Sequence, residues 1–304
     1  MALPNSVTVC EMGPRDGLQN ETSVIPTDAK IRYIDLLSET GLPIIEVTSF
    51  VSPKAIPQLA DATEVYTKIR KRPGVRYPVL VPNIKGLERA KAAGVDAIAV
   101  FTAASERFTK RNINMTIDES IATFADVVRN ARENAIWVRG YVSTAFGSPF
   151  GDEVTPEAVT GVTLKLFEMG CDEVSIGDTI GVGVPSQVDD VIADFRRHDV
   201  PLEKIAFHFH DTRGTALANV YAALQHGVAI FDSSSGGLGG CPYAPGATGN
   251  LGTEDLLYLL HGMGIETGVD LEKVRAASRF IASVLDHELT SKTFQALERA
   301  KVPA

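Results

Sequence analysis

The sequence predicts a (β/α)8 barrel, and three observations carry that expectation. Short apolar runs that read as strands begin near Val7, Pro43, Tyr77, Asp96, Ile136, Asp172, Lys204 and Val228, with helical patterns between them. Eight βα units in one chain of 304 residues are what a closed parallel barrel requires. A cadence also repeats: a helical pattern ends at Gly, and an apolar strand follows within a few residues. It occurs at Gly41, Gly94, Gly170 and Gly227. Glycine there accepts the left-handed conformation that closes a helix, and a strand buried on both faces reads as continuously apolar. Finally, the rival doubly wound sheet should carry a phosphate-binding glycine fingerprint after its first strand. This chain has Gly13-Pro14-Arg15-Asp16-Gly17 instead.

The elements follow in order. Val7-Thr8-Val9-Cys10-Glu11 is the first strand, and Thr27 is read as the cap of the first helix. Thr155 caps a later helix, with Pro156 suited to its first turn. The stretch from Thr212 to His226 has the rhythm of a crossover helix. Glu254 to His261 and Leu271 to Leu289 read as further helices. The barrel is therefore expected over roughly 5–262, with a C-terminal helical extension over 263–304. No Ser/Gly/Pro-rich linker divides the chain, so one domain, 1–304, is expected.

Composition narrows the function. Hydrophobic residues make up 44% and charged residues 22%, as in ordinary globular enzymes. A net charge of -9 argues against a broad nucleic-acid surface. No apolar run is long enough to span a bilayer. Three cysteines, Cys10, Cys171 and Cys241, are too few for a disulfide framework and suit a reducing compartment. The N-terminus shows no presequence and the C-terminus no peroxisomal tripeptide, so a cytoplasmic protein is expected.

The densest chemical signal is His208-Phe209-His210 at the end of the seventh strand. Side chains two apart on a strand point the same way, so both imidazoles can face one divalent ion. Alone, the tripeptide is a weak signal and reads more readily as two polar residues at a strand end. Other groups belong at the same barrel face: Arg15 and Asp16, Glu46, Arg139, Asp178, Asp232 and Asn250. Asp16, His208, His210 and Asn250 would form a two-nitrogen, two-oxygen set. Such a set suits Mn2+, Fe2+, Zn2+ or Co2+, and admits Mg2+ if amide and water oxygens complete it. Glu46 is a supporting group or an extra ligand. Arg15 would offer a planar cationic fork to a developing oxyanion, or would pair with Asp16 or Glu46. Cys241 lies in a glycine-rich stretch, Gly236 to Cys241, read as a mobile lid. Its thiol can act as acid or base, or can be structural. Cys10 and Cys171 read as core or spacer residues. Arg107, Lys110 and Arg111 form a basic cluster that could receive a phosphorylated tail, or could simply be solvated.

These residues carry a resemblance. The strings Glu11-Met12-Gly13-Pro14-Arg15-Asp16-Gly17-Leu18-Gln19-Asn20-Glu21, Glu46-Val47-Thr48-Ser49-Phe50 and Gly177-Asp178-Thr179-Ile180-Gly181 resemble 3-hydroxy-3-methylglutaryl-CoA lyases. So do His208-Phe209-His210-Asp211-Thr212 and Gly237-Leu238-Gly239-Gly240-Cys241-Pro242, and the likeness runs through essentially the whole chain. The Arg-Asp, Glu and His-x-His elements are shared across the DRE-TIM metallolyases. The glycine-proline opening and the cysteine loop are specific to the lyases. The resemblance implies a TIM barrel, a divalent cation (Mg2+ or Mn2+), and cleavage of 3-hydroxy-3-methylglutaryl-CoA to acetyl-CoA and acetoacetate. It implies Asp16, His208, His210 and Asn250 as metal ligands, and Arg15 and Gln19 as substrate-binding residues. Cys241 becomes the catalytic loop cysteine, with Glu46 and Asp178 supporting the site. The first base stays open among Asp178, His208 and Glu46. Phe209 and Arg213 stand where relatives vary and leave the ligand set intact. A lyase for a longer 3-hydroxy-3-alkylglutaryl-CoA, a Claisen-condensing synthase and a non-catalytic metal scaffold are the alternatives. A homodimer is expected as the partner state, with no nucleic acid or membrane.

Overall fold

The computed structural model describes residues 3–240 and 249–300. Among them, every strand pairs in parallel within one sheet. In chain order these are β1 (Thr8–Glu11), β2 (Ile44–Ile45), β3 (Thr48–Ser49), β4 (Val79–Leu80), β5 (Ala97–Ala103), β6 (Trp137–Ser143), β7 (Glu173–Asp178), β8 (Ile205–Phe209) and β9 (Ile230–Ser233). The sheet runs β2-β1-β9-β8-β7-β6-β5-β4-β3. Its two ends, β2 and β3, are halves of one strand. Glu46 N donates to Glu11 O at 2.9 Å on one side, and Val47 N to Pro78 O at 3.1 Å on the other. The ring is thereby closed, and all eight expected strands are present close to their expected starts.

The alternation of the strands separates two apolar layers. Val9, Ile45, Val79, Val138, Val174, Phe207 and Phe231 belong to the large core under the helices. Cys10, Met12, Ile44, Leu80, Ala99 and Tyr141 form a small cluster of opposite parity inside the barrel. The same parity turns Arg139, Ser175, His208 and Asp232 inward.

The helices are α1 (Thr27–Leu37), α2 (Ala62–Lys68), α3 (Ile84–Ala92), α4 (Glu106–Ile113), α5 (Ile117–Glu133), α6 (Pro156–Met169), α7 (Pro185–Arg197), α8 (Ala216–Gln225), α9 (Thr253–Gly262), α10 (Leu271–Ala282) and α11 (Lys292–Arg299). Thr155 caps α6 by accepting from Ala158 N, as expected. Thr27 does not cap α1. It is the helix's first residue behind Pro26, and its hydroxyl donates to Asp61 at 2.8 Å. The expected crossover helix begins at Ala216 rather than Thr212, because Gly214 takes a positive φ of 72° and Asp211 accepts from Ala216 N. The long helix expected from Leu271 ends at Ala282, and α11 follows separately. No helix among the described residues is long and apolar enough to cross a membrane.

Candidate active site

Directly after β1, residues Gly13–Gly17 wind into a single wide turn, with the amides of Asp16 and Gly17 donating to Met12 O. The turn carries Arg15 and Asp16 over the barrel mouth. Arg15 is 7% exposed. Its Nε donates to Glu46 Oε2 at 2.8 Å, and its NH1 to Asp16 Oδ1 at 2.6 Å. The Tyr141 hydroxyl donates to the same Glu46 oxygen at 3.1 Å, and the Arg15 guanidinium lies 5.6 Å from the Tyr141 ring. Burial pushes the Glu46 carboxyl up, opposed by Arg15.

His208 and His210 share the inward parity of β8. Their Nε2 atoms approach to 3.2 Å, and His208 Nε2 lies 3.8 Å from Asp16 Oδ2. On its other side, His208 Nδ1 meets Asp232 Oδ2 at 3.2 Å. An imidazole that donates from Nδ1 presents a bare lone pair at Nε2. Burial lowers His210 to about 4, aided by His208, so its ring is neutral near pH 7. Asp16 is held at about 2: burial would raise it, but Arg15 and the two imidazoles outweigh that.

Asn250 arrives because 249–251 pairs against the end of β8. Leu251 N donates to Phe209 O, and Asp211 N to Gly249 O, both at 3.0 Å. The Asn250 amide donates to Asp16 Oδ2 at 2.9 Å and to Leu238 O at 3.0 Å. Among the described residues neither its Oδ1 nor His210 Nδ1, both buried, has a hydrogen-bond partner. Asp16, His208 and His210 can each bring one ligand atom within 4.8 Å of the others. Two bare imidazole nitrogens, a carboxylate and an orphaned amide oxygen fit a divalent cation.

Asp16, His208 and His210 border a cavity of about 600 Å³. Arg15, Asp16, Gln19, His208 and His210 form its polar end, and Phe101, Phe108, Met115 and Phe124 much of its apolar wall. Gln19 Oε1 is buried and has no hydrogen-bond partner among the described residues.

An HMGL-like family model matches residues 6–281. The chain belongs to the HMGL-like family. HMGL-like relatives resemble it over nearly their full length. The mitochondrial hydroxymethylglutaryl-CoA lyase of Mus musculus is 54% identical over 294 residues, 97% of this chain and 90% of that protein. The hydroxymethylglutaryl-CoA lyase structure from Pseudomonas aeruginosa superposes with a TM-score of 0.96 at 51% identity, covering 99% of this chain and 100% of the other. An HMG-CoA lyase from Acinetobacter baumannii, in complex with coenzyme A and 3-methylmalate, has a TM-score of 0.93 at 37% identity, covering 100% and 99%.

Not every expected residue of this HMGL-like barrel meets the cavity. Asp178 ends β7 with the outward parity of Ile176, and Ser175 and Gly177 take the cavity side. Its two oxygens accept the amides of Val182 and Gly183, each at 3.0 Å. Burial pushes it up to about 6. Cys10 and Cys171 are free and buried, as core residues should be. Cys241 lies outside the described residues. Arg107 and Arg111 pack around Phe150, through its carbonyl at 3.1 Å and over its ring at 4.9 Å, while Phe108 and Ile113 of α4 line the cavity.

Sequence reasoning missed Tyr141, whose signal was its spacing of two from Arg139 on one strand face. It also missed Ser175, which donates to Asp232 Oδ2 at 2.8 Å. Arg139 proves to be a buried brace beneath the site, paired to Asp232 at 2.7 Å and Glu173 at 2.8 Å.

Proposed function

We propose that this chain cleaves 3-hydroxy-3-methylglutaryl-CoA to acetyl-CoA and acetoacetate in a retro-Claisen step. The observation that carries the reading is the convergence of Asp16, His208, His210 and the orphaned Asn250 Oδ1 beside the buried Arg15 fork. These four residues would hold a divalent cation, Mg2+ or Mn2+. When bound, the cation supplies an electrophilic centre that acidifies the substrate hydroxyl.

The chain's own residues account for the remainder. Loss of the C3 hydroxyl proton lets the C2–C3 bond break. C3 becomes the ketone of acetoacetate, and the bonding pair passes to C2 as the acetyl-CoA enolate. Arg15, held rigid by Glu46, faces that developing charge and contributes most where the charge is greatest. Cys241 returns a proton to C2. Gln19, whose carbonyl oxygen has no partner among the described residues, orients the acyl group. Asp178 supports the loop after β7 through its two backbone contacts. With both oxygens so engaged, Asp178 is a poor first base, and His208, with Nδ1 at Asp232 and Nε2 turned toward the cation, is no freer.

An acyl-CoA substrate also accords with α4, which turns Phe108 and Ile113 to the cavity and carries Arg107, Lys110 and Arg111. Charge reversal of Lys110 and Arg111 should raise KM, and an unchanged KM would remove the phosphate-tail role.

The deciding experiment is a coupled acetoacetate assay with Mg2+, with Mn2+ and with EDTA. Metal-dependent product supports the reading. Full turnover in EDTA defeats the cation assignment. No product from folded, metal-loaded protein defeats the substrate assignment and turns attention to a longer acyl chain.

A further inference from the structure

We propose that Glu11 is a positioning residue that registers the Arg15–Asp16 turn against the glycine-rich segment Ser235–Gly240. The proposal rests on the reading that Arg15 and Asp16 serve the reaction.

Glu11 ends β1 with the outward parity, so it does not enter the cavity. It is fully buried, and no Lys, Arg or His among the described residues forms an ion pair with it. An uncompensated buried acid is costly unless its oxygens are well used. Here the hydrogen bonds are concentrated at segment starts. Oε1 accepts from Gly13 N, where the Arg15–Asp16 turn begins, at 2.8 Å. The same oxygen accepts from Ser235 N, where the glycine-rich segment begins, also at 2.8 Å. Oε2 accepts from the Thr253 hydroxyl at 2.8 Å, at the first residue of α9 and just past Asn250. One carboxyl group thus joins three segments far apart in sequence, each of which leads into the site.

The surroundings leave this joint little freedom. Tyr33 bonds its hydroxyl to Ser235 Oγ above Gly13. A Cβ at Gly13 would fall 2.4 Å from that hydroxyl and 2.5 Å from Glu11 Oε1, so only glycine fits. The next amide along, Gly236 N, donates to a second buried acid, Glu254, at 2.7 Å, and Ser278 holds that acid's other oxygen. Consecutive amides at the base of the glycine-rich segment are therefore each fixed by a buried side chain rather than by regular backbone pairing.

The hydrogen-bond pattern, rather than the charge, is what does the positioning. Glutamine can keep both amides on its carbonyl oxygen and offer its NH2 to Thr253, whose hydroxyl can then donate to Ser233 Oγ, 2.8 Å away. Aspartate is one methylene too short to reach both amides. The test compares Glu11→Gln, Glu11→Asp and Glu11→Ala in the full chain. It reads Mn2+ affinity by calorimetry, kcat and KM with 3-hydroxy-3-methylglutaryl-CoA, and Tm. Loss of buried hydrogen bonds at the joint should lower kcat about 10- to 100-fold in the Asp and Ala variants, with KM within a few fold and Mn2+ affinity weaker. The Gln variant should keep Mn2+ affinity and most of kcat. Unchanged kcat and Mn2+ affinity in a folded Asp or Ala variant would overturn the proposal. So would a Gln variant as impaired as Ala, since charge would then be the active property. If Glu11→Ala fails to fold, Glu11→Asp decides. If the parent protein binds Mn2+ but cleaves nothing, the lyase reading has failed, and the Mn2+ affinities still judge Glu11.

Discussion

Asp232 holds His208 from below: its Oδ2 sits 3.2 Å from the imidazole Nδ1, and its Oδ1 takes Arg139 NH2 at 2.7 Å. Ser175 donates to Oδ2 as well. The carboxylate is fully engaged and fully buried, so the ring it orients has one tautomer and one direction. The lone pair at Nε2 toward Asp16 and His210 is a product of that support.

Replacing Asp232 by Asn should therefore weaken metal binding about 10- to 100-fold, the usual cost of losing a carboxylate behind a ligating histidine. The neutral amide would also leave Arg139 with Glu173 alone, so Tm should fall. Calorimetric titration with Mn2+ separates the two effects. Normal affinity alongside a lowered Tm would mean that Asp232 serves Arg139 and not the imidazole.

Arg15 is tied to Glu46 through Nε and NH2 and to Asp16 through NH1. Lysine keeps the charge and loses the fork. Arg15→Lys should lower kcat by roughly 100-fold or more, in the range for removing a preorganised oxyanion donor, with a smaller change in KM. Steady-state kinetics at saturating Mg2+ test this. A change confined to KM would recast Arg15 as a ground-state binder.

The barrel was legible because parallel strands buried on both faces appear as bare apolar runs, and because Gly41, Gly94, Gly170 and Gly227 all close helices with positive φ. His208 and His210 were legible through strand parity, and Arg15 and Asp16 through their place after β1. Parity also explains what was not legible. Asp178 stands one residue past the cavity-facing Gly177, and nothing local marks which side of β7 is inward. Tyr141 and Ser175 face inward but look like ordinary strand residues. Glu11 reads as an acid ending a strand, because its partners Ser235 and Thr253 are more than two hundred residues away and hydrogen-bonding across such a distance leaves no local pattern. The paired helices α4 and α5 after β5 lie between two expected strands, and Asn114, at φ 58°, is the break that separates them.

Cys241→Ala should lower kcat strongly, by about 100-fold or more if the thiol is the proton donor to C2, and should leave Mn2+ affinity unchanged. The ligand set Asp16, His208, His210 and Asn250 does not include it. Near-parental turnover would remove the thiol from the mechanism.

The buried acids fix a pH dependence of stability. Burial is the chief cause that raises Glu11 from its ordinary 4.5 to about 8, and Glu254 from 4.5 to about 7. Between pH 4.5 and these values the native state holds protons that the unfolded chain has lost. Stability then falls as pH rises. The contribution is complete below about pH 4.5, fades through 7 to 8, and is absent above. Asp16 and His210 work in the opposite sense: the window of Asp16 runs from 3.8 down to about 2 and does not overlap, while that of His210, from 6.5 down to about 4, offsets only part of the fall. Urea unfolding of metal-free protein in EDTA should give a lower free energy at pH 8.5 than at pH 5.5. The Glu11→Gln, Glu254→Gln double variant cannot titrate at either position, so its stability should change less across that interval. An equal slope in parent and variant would show that both acids are already ionised in the folded protein near pH 5.5.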